Sequence, residues 1–248
     1  MRRFVFLIWL VFLPKAALAE CVVLLHGLAR TEASFTVMEQ VFLTRGYQVV
    51  RPGYPSTAAS IKDLAARVVP QAIASCGGQT VHVVTHSLGG ILLRAAFDVQ
   101  RPARLGRVVM LGPPNQGAML VDRLAEWEVF EFWNGPAGAE LGTGENSVPR
   151  ALPPVDYPVG IIAGNQSVNP VLSGLIDGAN DGKVAVVETI VEGMTDHLTL
   201  PVTHTFMMNN PVVIAESLHF IETGQFARDI TWLDAVTGES VRRGEDEK

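Results

Sequence analysis

The chain has 248 residues, of which 48% are hydrophobic and 18% are charged, and its 19 Lys and Arg against 25 Asp and Glu give a formal charge of −6. This composition excludes a disordered chain, and the length fits one α/β domain with a single large core. The acidic balance and the lack of a Lys/Arg cluster exclude nucleic acid as an expected partner.

The first 19 residues have the pattern of a secretory signal peptide. Arg2-Arg3 precedes the apolar run 4–13, and Ala17-Leu18-Ala19 supplies small residues before the expected cleavage point. The run is shorter than the roughly 20 apolar residues that a membrane span needs, so we predict no stable membrane anchor. Glu20 stands before Cys21 where a lipid-modified cysteine needs a small residue, which argues against lipidation.

Cleavage there leaves residues 20–248, with 16 basic and 25 acidic residues and therefore a charge of −9. We predict an exported protein, either periplasmic or secreted. In such a compartment Cys21 and Cys76 are either a disulfide or two buried thiols.

From residue 21 onward, predicted strands alternate with predicted helices. Short β-branched runs that end at Gly or Pro favour buried parallel strands, and apolar residues at helical spacing favour helices between them. The predicted strands are Cys21–Leu25, Tyr47–Arg51, Gln79–Thr85, Arg107–Leu111, Val159–Ala163 and Val184–Glu188, and the predicted helices are 34–45, Ser60–Ser75, Leu88–Asp98 and Pro211–Thr223. This order predicts a mostly parallel sheet of about six strands with helices on both faces.

Residues 113–156 interrupt the alternation and are interpreted as an insertion over the sheet. A predicted helix, Ala118–Phe132, is followed by a passage rich in Gly and Pro. The aromatic residues Trp127, Phe130, Phe132 and Trp133 fall within this insertion. Two interpretations stay open: a small lid over an acyl pocket, or plain packing of the insertion against the domain. Residues 242–248 are interpreted as a charged tail.

Ser87 stands where a buried strand passes straight into a helix, within Thr85-His86-Ser87-Leu88-Gly89-Gly90. A nucleophilic serine on such a turn needs small residues two positions away on either side. Gly89 meets this need, whereas Thr85 departs from the usual glycine. A serine that only caps a helix would need neither the histidine before it nor the two glycines after it. We therefore predict that Ser87 is a nucleophile.

A serine nucleophile needs an imidazole that takes its proton and a carboxylate that orients the imidazole. With the chain order serine, acid, histidine, the candidate bases are His197, His204 and His219. His204 is the predicted base because it lies in a loop before the last helix. His197 is its competitor, and His219, inside that helix, is interpreted as structural.

Asp181 is the predicted acid, because it precedes Gly182 and a predicted strand. Asp177 is the nearest competitor. Asp196 stands next to His197, but adjacent residues on an extended segment point in opposite directions, so Asp196 is interpreted as a solvated surface group. Two backbone N–H groups are expected to stabilise the oxyanion: that of Leu88, directly after the nucleophile, and that of Leu28, after His26-Gly27.

Together these segments resemble the α/β-hydrolase superfamily, specifically its small bacterial lipase/esterase branch. The resemblance rests on His26-Gly27, the Ser87 segment, Gly112-Pro113-Pro114-Asn115-Gln116-Gly117, Asn180-Asp181-Gly182-Lys183-Val184 and His204. It implies the α/β-hydrolase fold without the first two strands of larger members. It also implies an esterase or lipase that cleaves carboxylic esters through a Ser-Asp-His triad and an acyl-enzyme, with no metal and no organic cofactor.

The resemblance further implies that the strands following Cys21 and Cys76 are neighbours, and hence that these cysteines form a disulfide. No cationic cluster accompanies the motifs in the sequence, so we expect a neutral ester or lipid-like substrate, and peripheral contact with lipid stays open. The same residues would serve an acyltransferase, a thioesterase or an amidase, and the fold could also carry a secreted, non-catalytic binding protein. Acyl chain length and oligomeric state are not predicted.

Overall fold

Six parallel strands form one sheet in the order β2-β1-β3-β4-β5-β6 in a computed structural model that describes residues 20–124 and 135–238. The strands are β1 Cys21–Leu25, β2 Gln48–Val50, β3 Val81–His86, β4 Leu105–Leu111, β5 Val159–Gly164 and β6 Asp196–Leu200. The first five start and end within about two residues of the predicted bounds. The expected signal peptide, the aromatic residues of the insertion between 127 and 133, and the tail 242–248 lie outside the described residues.

Helices cover both faces of the sheet, as the sequence predicts. They are α1 Thr36–Thr44, α2 Ile61–Ala74, α3 Leu88–Val99, α4 Met119–Leu124, α5 Val148–Ala151, α6 Pro170–Ser173, α7 Pro211–Thr223 and α8 Trp232–Thr237, with 3-10 turns at Glu32–Phe35, Val186–Thr189 and Met207–Asn209. Among the helices of the described ranges, none has the length and apolar character needed to cross a bilayer.

Two apolar cores separate the sheet from its two helical layers. Side chains alternate along β1, so Val23 and Leu25 belong to the core under α2 and α3, while Val22 and Leu24 belong to the core under α1 and α7. Because both faces of these strands are covered, they consist of nearly continuous apolar residues. The predicted α/β-hydrolase architecture, a parallel sheet between two helical layers, is confirmed.

The predicted sixth strand, Val184–Glu188, is wrong. The sixth strand is β6, which pairs with β5 from Gly160 opposite Asp196 to Gly164 opposite Leu200. Residues 186–189 form a 3-10 turn instead. The predicted number of strands is unaffected, because β6 replaces the earlier segment as the sixth strand.

Two carboxylates explain why the earlier segment is not a strand. Asp181 Oδ1 accepts hydrogen bonds from the N–H groups of Lys183 and Val184, at 3.0 and 2.8 Å. Glu188 Oε2 accepts one from the N–H of Ala185, at 2.7 Å. These side chains occupy the backbone donors that a strand would offer to its neighbour, and so they favour turns over extended pairing.

A buried arginine holds part of the insertion 113–156 against α3. Arg94 is 5% exposed, and its guanidinium donates to the carbonyl oxygens of Asn115, Pro149, Leu152 and Pro153 at 3.1–3.2 Å. A buried cation is stable only when its N–H groups have acceptors. This network fixes the described flanks of the insertion to the domain.

Cys21 and Cys76 form a disulfide, as the family resemblance implies. Cys21 begins β1, and Cys76 lies between α2 and β3, the strand that pairs with β1. Both cysteines are buried. The bond therefore joins the amino ends of two adjacent strands, at the edge of the sheet opposite Ser87.

Replacing both Cys21 and Cys76 by alanine is expected to lower the free energy of unfolding by roughly 3–5 kcal/mol, because the open chain loses the constraint of a long loop. Urea denaturation followed by circular dichroism measures this. Wild-type protein denatured with excess reductant is the matched control and should unfold at the variant's urea midpoint. Equal midpoints for the oxidised wild type and the variant would contradict the prediction.

Candidate active site

Ser87 occupies a strained turn between β3 and α3. Its backbone angles are φ 52° and ψ −123°, a region that residues other than glycine rarely adopt and that costs about 1–3 kcal/mol. Its N–H donates to the carbonyl of Leu111 at the end of β4, at 2.9 Å. The structure thus places Ser87 on the tight strand-to-helix turn that the sequence predicts, with the side chain at the carboxyl edge of the sheet.

The residues around this turn allow strand and helix to approach closely. A Cβ at Gly89 would lie 2.5 Å from the carbonyl oxygen of Leu25, so only glycine fits there. Thr85 is fully buried, and a Cβ at Gly90 would lie 3.2 Å from its Oγ1. Thr85, which stands where glycine is usual, therefore fits because Gly90 has no side chain.

Asp181 and His204 form a buried pair. Oδ2 of Asp181 lies 2.7 Å from Nδ1 of His204, and each residue is 3% exposed. The backbone N–H of His204 also donates to the carbonyl of Asp181, at 3.0 Å. Because the ionised carboxylate can only accept, Nδ1 carries the proton and Nε2 is left as an acceptor.

The end of β4 brings the serine turn and this pair to one place. Leu111 bonds to Ser87, and the next residue, Gly112, has φ 52°. A Cβ at Gly112 would lie 3.1 Å from Oδ2 of Asp181 and 3.2 Å from Nδ1 of His204. A glycine at this position therefore leaves room for the carboxylate and the imidazole beside the serine turn.

The loop after β1 contacts the same turn. A Cβ at Gly27 would lie 3.1 Å from Cβ of Ser87, so the backbone that leads to Leu28 passes against the serine. Ala29, with φ 51°, donates its N–H to Oγ of Ser56 at 3.0 Å. Leu88 is the first residue of α3. Both predicted oxyanion donors, Leu28 and Leu88, are thus in segments that adjoin Ser87.

Tyr54 provides a second anchor for the loop after β1. Its hydroxyl donates to the carbonyl of His26, and the two rings are stacked with centroids 3.8 Å apart. Sequence reasoning missed both Tyr54 and Ser56. The only signal for them was their place in the loop that follows β2, a strand adjacent to β1.

His86, treated in the sequence only as context for Ser87, binds the backbone of the predicted base. Its Nε2 lies 3.0 Å from the carbonyl oxygen of His204, and the ring centroids are 4.7 Å apart. Burial, the neighbouring His204, and the charges of Arg30 and Lys183 lower the pKa of His86 well below its usual value. His86 is therefore neutral at pH 7, and its Nε2–H donates to that carbonyl.

The two competing histidines lie elsewhere. His197 is in β6, and its Nε2 lies 2.9 Å from Oγ1 of Thr189. Burial lowers the pKa of His197. His219 is in α7, with Nδ1 2.9 Å from the carbonyl oxygen of Gln225. His204 is thus the histidine that the structure brings to Asp181.

The two carboxylates that competed with Asp181, those of Asp177 and Asp196, lie elsewhere in the structure. Asp177 is exposed in the loop after α6. Asp196, expected to be solvated, is instead 12% exposed and pairs with Arg228. Its carboxylate also accepts the N–H of Phe226, at 3.0 Å. The surface interpretation of Asp196 was wrong because β6 places it against the segment that follows α7.

Within residues 20–124 and 135–238, no group of three or more His, Cys, Asp or Glu side chains is arranged to hold a metal ion. The polar groups that converge at the carboxyl edge are a hydroxyl, an imidazole, a carboxylate and backbone N–H groups. Such a set is suited to acyl transfer.

A model of the alpha/beta hydrolase family matches residues 22–217. No curated protein matches the sequence.

Several solved structures share the fold at low sequence identity. The mature Bacillus licheniformis lipase BlEst2 is 20% identical, with a TM-score of 0.66 over 82% of this chain and 92% of that one. The metagenomic carboxyl esterase MGS0156 is 18% identical, with a TM-score of 0.59 over 92% of this chain and 77% of that one. The Rhodococcus sp. ECU1013 esterase RhEst1 is 13% identical, with a TM-score of 0.57 over 83% and 91%.

Proposed function

Because the chain belongs to the alpha/beta hydrolase family, we propose that it is a serine hydrolase that cleaves carboxylic esters. One observation carries the proposal: the buried pair of Asp181 and His204, at 2.7 Å, lies beside the strained turn of Ser87. The names of the similar structures, a lipase and two esterases, favour esters over other acyl substrates.

The first step is acylation. Oγ of Ser87 attacks the ester carbonyl carbon while Nε2 of His204 takes the hydroxyl proton. The carbonyl π electrons move to oxygen, and the N–H groups of Leu28 and Leu88 stabilise the oxyanion. When the oxyanion collapses, the bond to the alcohol oxygen breaks and His204 returns the proton to the leaving alcohol. Water then repeats these steps on the acyl-enzyme and releases the acid.

Asp181 has a positioning and electrostatic role in this scheme. Three hydrogen bonds, from Lys183, Val184 and His204, fix its carboxylate. The carboxylate holds the imidazole in the tautomer with Nε2 free and stabilises the imidazolium that forms in each step. The N–H of Leu88, at the amino end of α3, gains from the helix dipole when negative charge develops.

We also propose that the protein is exported. The signal-peptide pattern in residues 1–19 supports this, as does the disulfide between Cys21 and Cys76, a bond that persists in oxidising compartments.

A panel of acyl substrates tests the proposed function. Purified protein is assayed on p-nitrophenyl esters from acetate to palmitate, on a matched p-nitroanilide and on a matched thioester. We expect kcat/KM for the best ester to exceed that of the amide and the thioester by about 100-fold or more. A Ser87→Ala preparation purified in parallel measures contaminating esterase.

Other outcomes would point to the alternatives. Faster cleavage of the thioester or anilide would make the protein a thioesterase or an amidase. Ester formation with added glycerol at the expense of acid release would make it an acyltransferase. No turnover of any substrate would favour a non-catalytic binding protein.

A further inference from the structure

The loop 26–29, which follows β1, has a strained backbone. Ala29 has φ 51°, and among the described residues other than glycine only Ser87 and Arg228 also have a positive φ. This conformation is unfavourable for a residue with a side chain, and it persists only where surrounding contacts enforce it, often at functional sites. Two of the three strained residues thus belong to the candidate active site, and the strain at Ala29 needs contacts that hold the loop.

Three consecutive peptide groups of the loop are each bound by one side chain. In the first, the carbonyl of His26 accepts a hydrogen bond from the Tyr54 hydroxyl. In the second, the carbonyl of Gly27 accepts one from Nδ1 of His26, at 2.9 Å. In the third, the N–H of Ala29 donates to Oγ of Ser56, at 3.0 Å. Side chains therefore fix the orientation of every peptide plane from position 26 to position 29.

The middle peptide, between Gly27 and Leu28, carries one of the two expected oxyanion donors. In a trans peptide the C=O and the N–H point in opposite directions, and no peptide bond in the described residues is cis. With the Gly27 carbonyl bound to His26, the N–H of Leu28 therefore points away from the His26 ring. Because the backbone of glycine rotates easily, this orientation depends on the contacts that hold the peptides on either side.

Tyr54 and Ser56 supply the two outer hydrogen bonds, and both side chains are buried. A hydrogen bond in such surroundings is electrostatically stronger than in water. Burial also raises the pKa of Tyr54, so its hydroxyl keeps its proton and remains a donor. The Tyr54 ring stacks on the imidazole of His26, with centroids 3.8 Å apart, and so it also holds the group that binds Gly27.

We propose that Tyr54 and Ser56 are positioning residues for the oxyanion donor at Leu28. They hold the loop 26–29 so that this N–H faces the position of the developing oxyanion before substrate binds. Donors that are preorganised in this way lower the barrier, because they need no reorganisation when the charge develops. This inference rests on the proposed ester hydrolysis.

Ser56→Ala and Tyr54→Phe test the role in steady-state kinetics on a p-nitrophenyl ester. Each variant should lower kcat by about tenfold and change KM by less than twofold, because the lost contact supports the transition state and not the bound substrate. Outright removal of an oxyanion donor costs about 10²-fold to 10³-fold in kcat, and a donor that is present but misplaced should cost less. Ser56→Thr keeps the hydroxyl and should recover most of kcat.

A pair of inhibitors gives a readout that a purely structural role would not move. An alkyl trifluoromethyl ketone adds Oγ of Ser87 to its carbonyl carbon, the hydroxyl proton passes to His204, and the ketone oxygen becomes an oxyanion. The alkyl methyl ketone of the same chain length binds as a neutral ketone. The Ki of the trifluoromethyl ketone should rise about tenfold in both variants, in step with the loss of kcat, while the Ki of the methyl ketone should stay within twofold.

Matched variants control for changes in stability. Ser60→Ala removes another serine hydroxyl that accepts a backbone N–H, that of Asp63 at the start of α2, at 3.1 Å. Tyr157→Phe removes the hydroxyl of a second buried tyrosine, one whose hydroxyl has no hydrogen-bond partner among residues 20–124 and 135–238. Both controls should leave kcat and the ratio of the two Ki values unchanged, even where the thermal midpoint falls.

Unchanged kcat in a folded Ser56→Ala or Tyr54→Phe protein would overturn the inference, as would a rise of equal size in the Ki of both ketones. Tyr54→Phe keeps the ring that stacks on His26 and decides the question alone if Ser56→Ala does not fold. If the wild-type protein neither hydrolyses esters nor reacts with a fluorophosphonate, the proposed function itself fails.

Discussion

Replacing Ser87 by alanine is expected to lower kcat/KM for ester hydrolysis by a factor on the order of 10^6, because loss of a nucleophilic serine removes the acyl-enzyme route altogether. The fold should be unaffected. Alanine keeps the Cβ of serine, so the turn at φ 52° and ψ −123° has the same strain as in the wild type. The measurement is p-nitrophenyl ester turnover, with circular dichroism and the thermal midpoint confirming that the variant is folded.

Ser75→Ala is the matched control for this variant. Ser75 is an exposed serine at the end of α2, and its replacement should leave kcat/KM within about twofold. Turnover that persists in a folded, contaminant-free Ser87→Ala protein would show that another group attacks the ester.

Replacing His204 by alanine is expected to cause a comparable loss of kcat, about 10^4-fold to 10^6-fold, because the Ser87 hydroxyl then keeps its proton. His197→Ala should change kcat by no more than a few fold, since its Nε2 is engaged with Thr189 in β6. Both variants remove one imidazole, and the thermal midpoint of each variant separates a loss of catalysis from general destabilisation.

The reverse result would move the general base to His197. A large loss in both variants with unchanged thermal midpoints would contradict the assignment of His204 as the single base. Imidazole added to His204→Ala provides a further check, because partial recovery of turnover indicates that a proton acceptor is missing.

The sequence predicts five strands and the Ser87 turn because the signals for them are local. A strand covered on both faces is an apolar run, as in Cys21–Leu25, and a Gly-Gly pair after Ser87 permits a close approach of helix and strand. These features depend on residues next to each other in the chain.

The sixth strand was misplaced because tertiary contacts override its local signal. Val184–Glu188 has the β-branched residues of a strand, but Asp181 and Glu188 bind its N–H groups. The true strand, Asp196–Leu200, begins with two polar residues, and Leu198 is its one buried position. Its strand identity follows from pairing with β5, which the sequence does not display.

The candidate triad could be chosen from chain order and loop position, but its surroundings could not. His86, Tyr54 and Ser56 act through contacts with residues far from them in sequence or with backbone groups.

Reaction of the native protein with a fluorophosphonate, followed by mass spectrometry of its peptides, tests the assignment of Ser87 most directly. The triad predicts a single covalent adduct on the peptide that contains Ser87, no adduct in Ser87→Ala, and much slower labelling in His204→Ala. An unlabelled native protein, or an adduct that persists in Ser87→Ala, would contradict it.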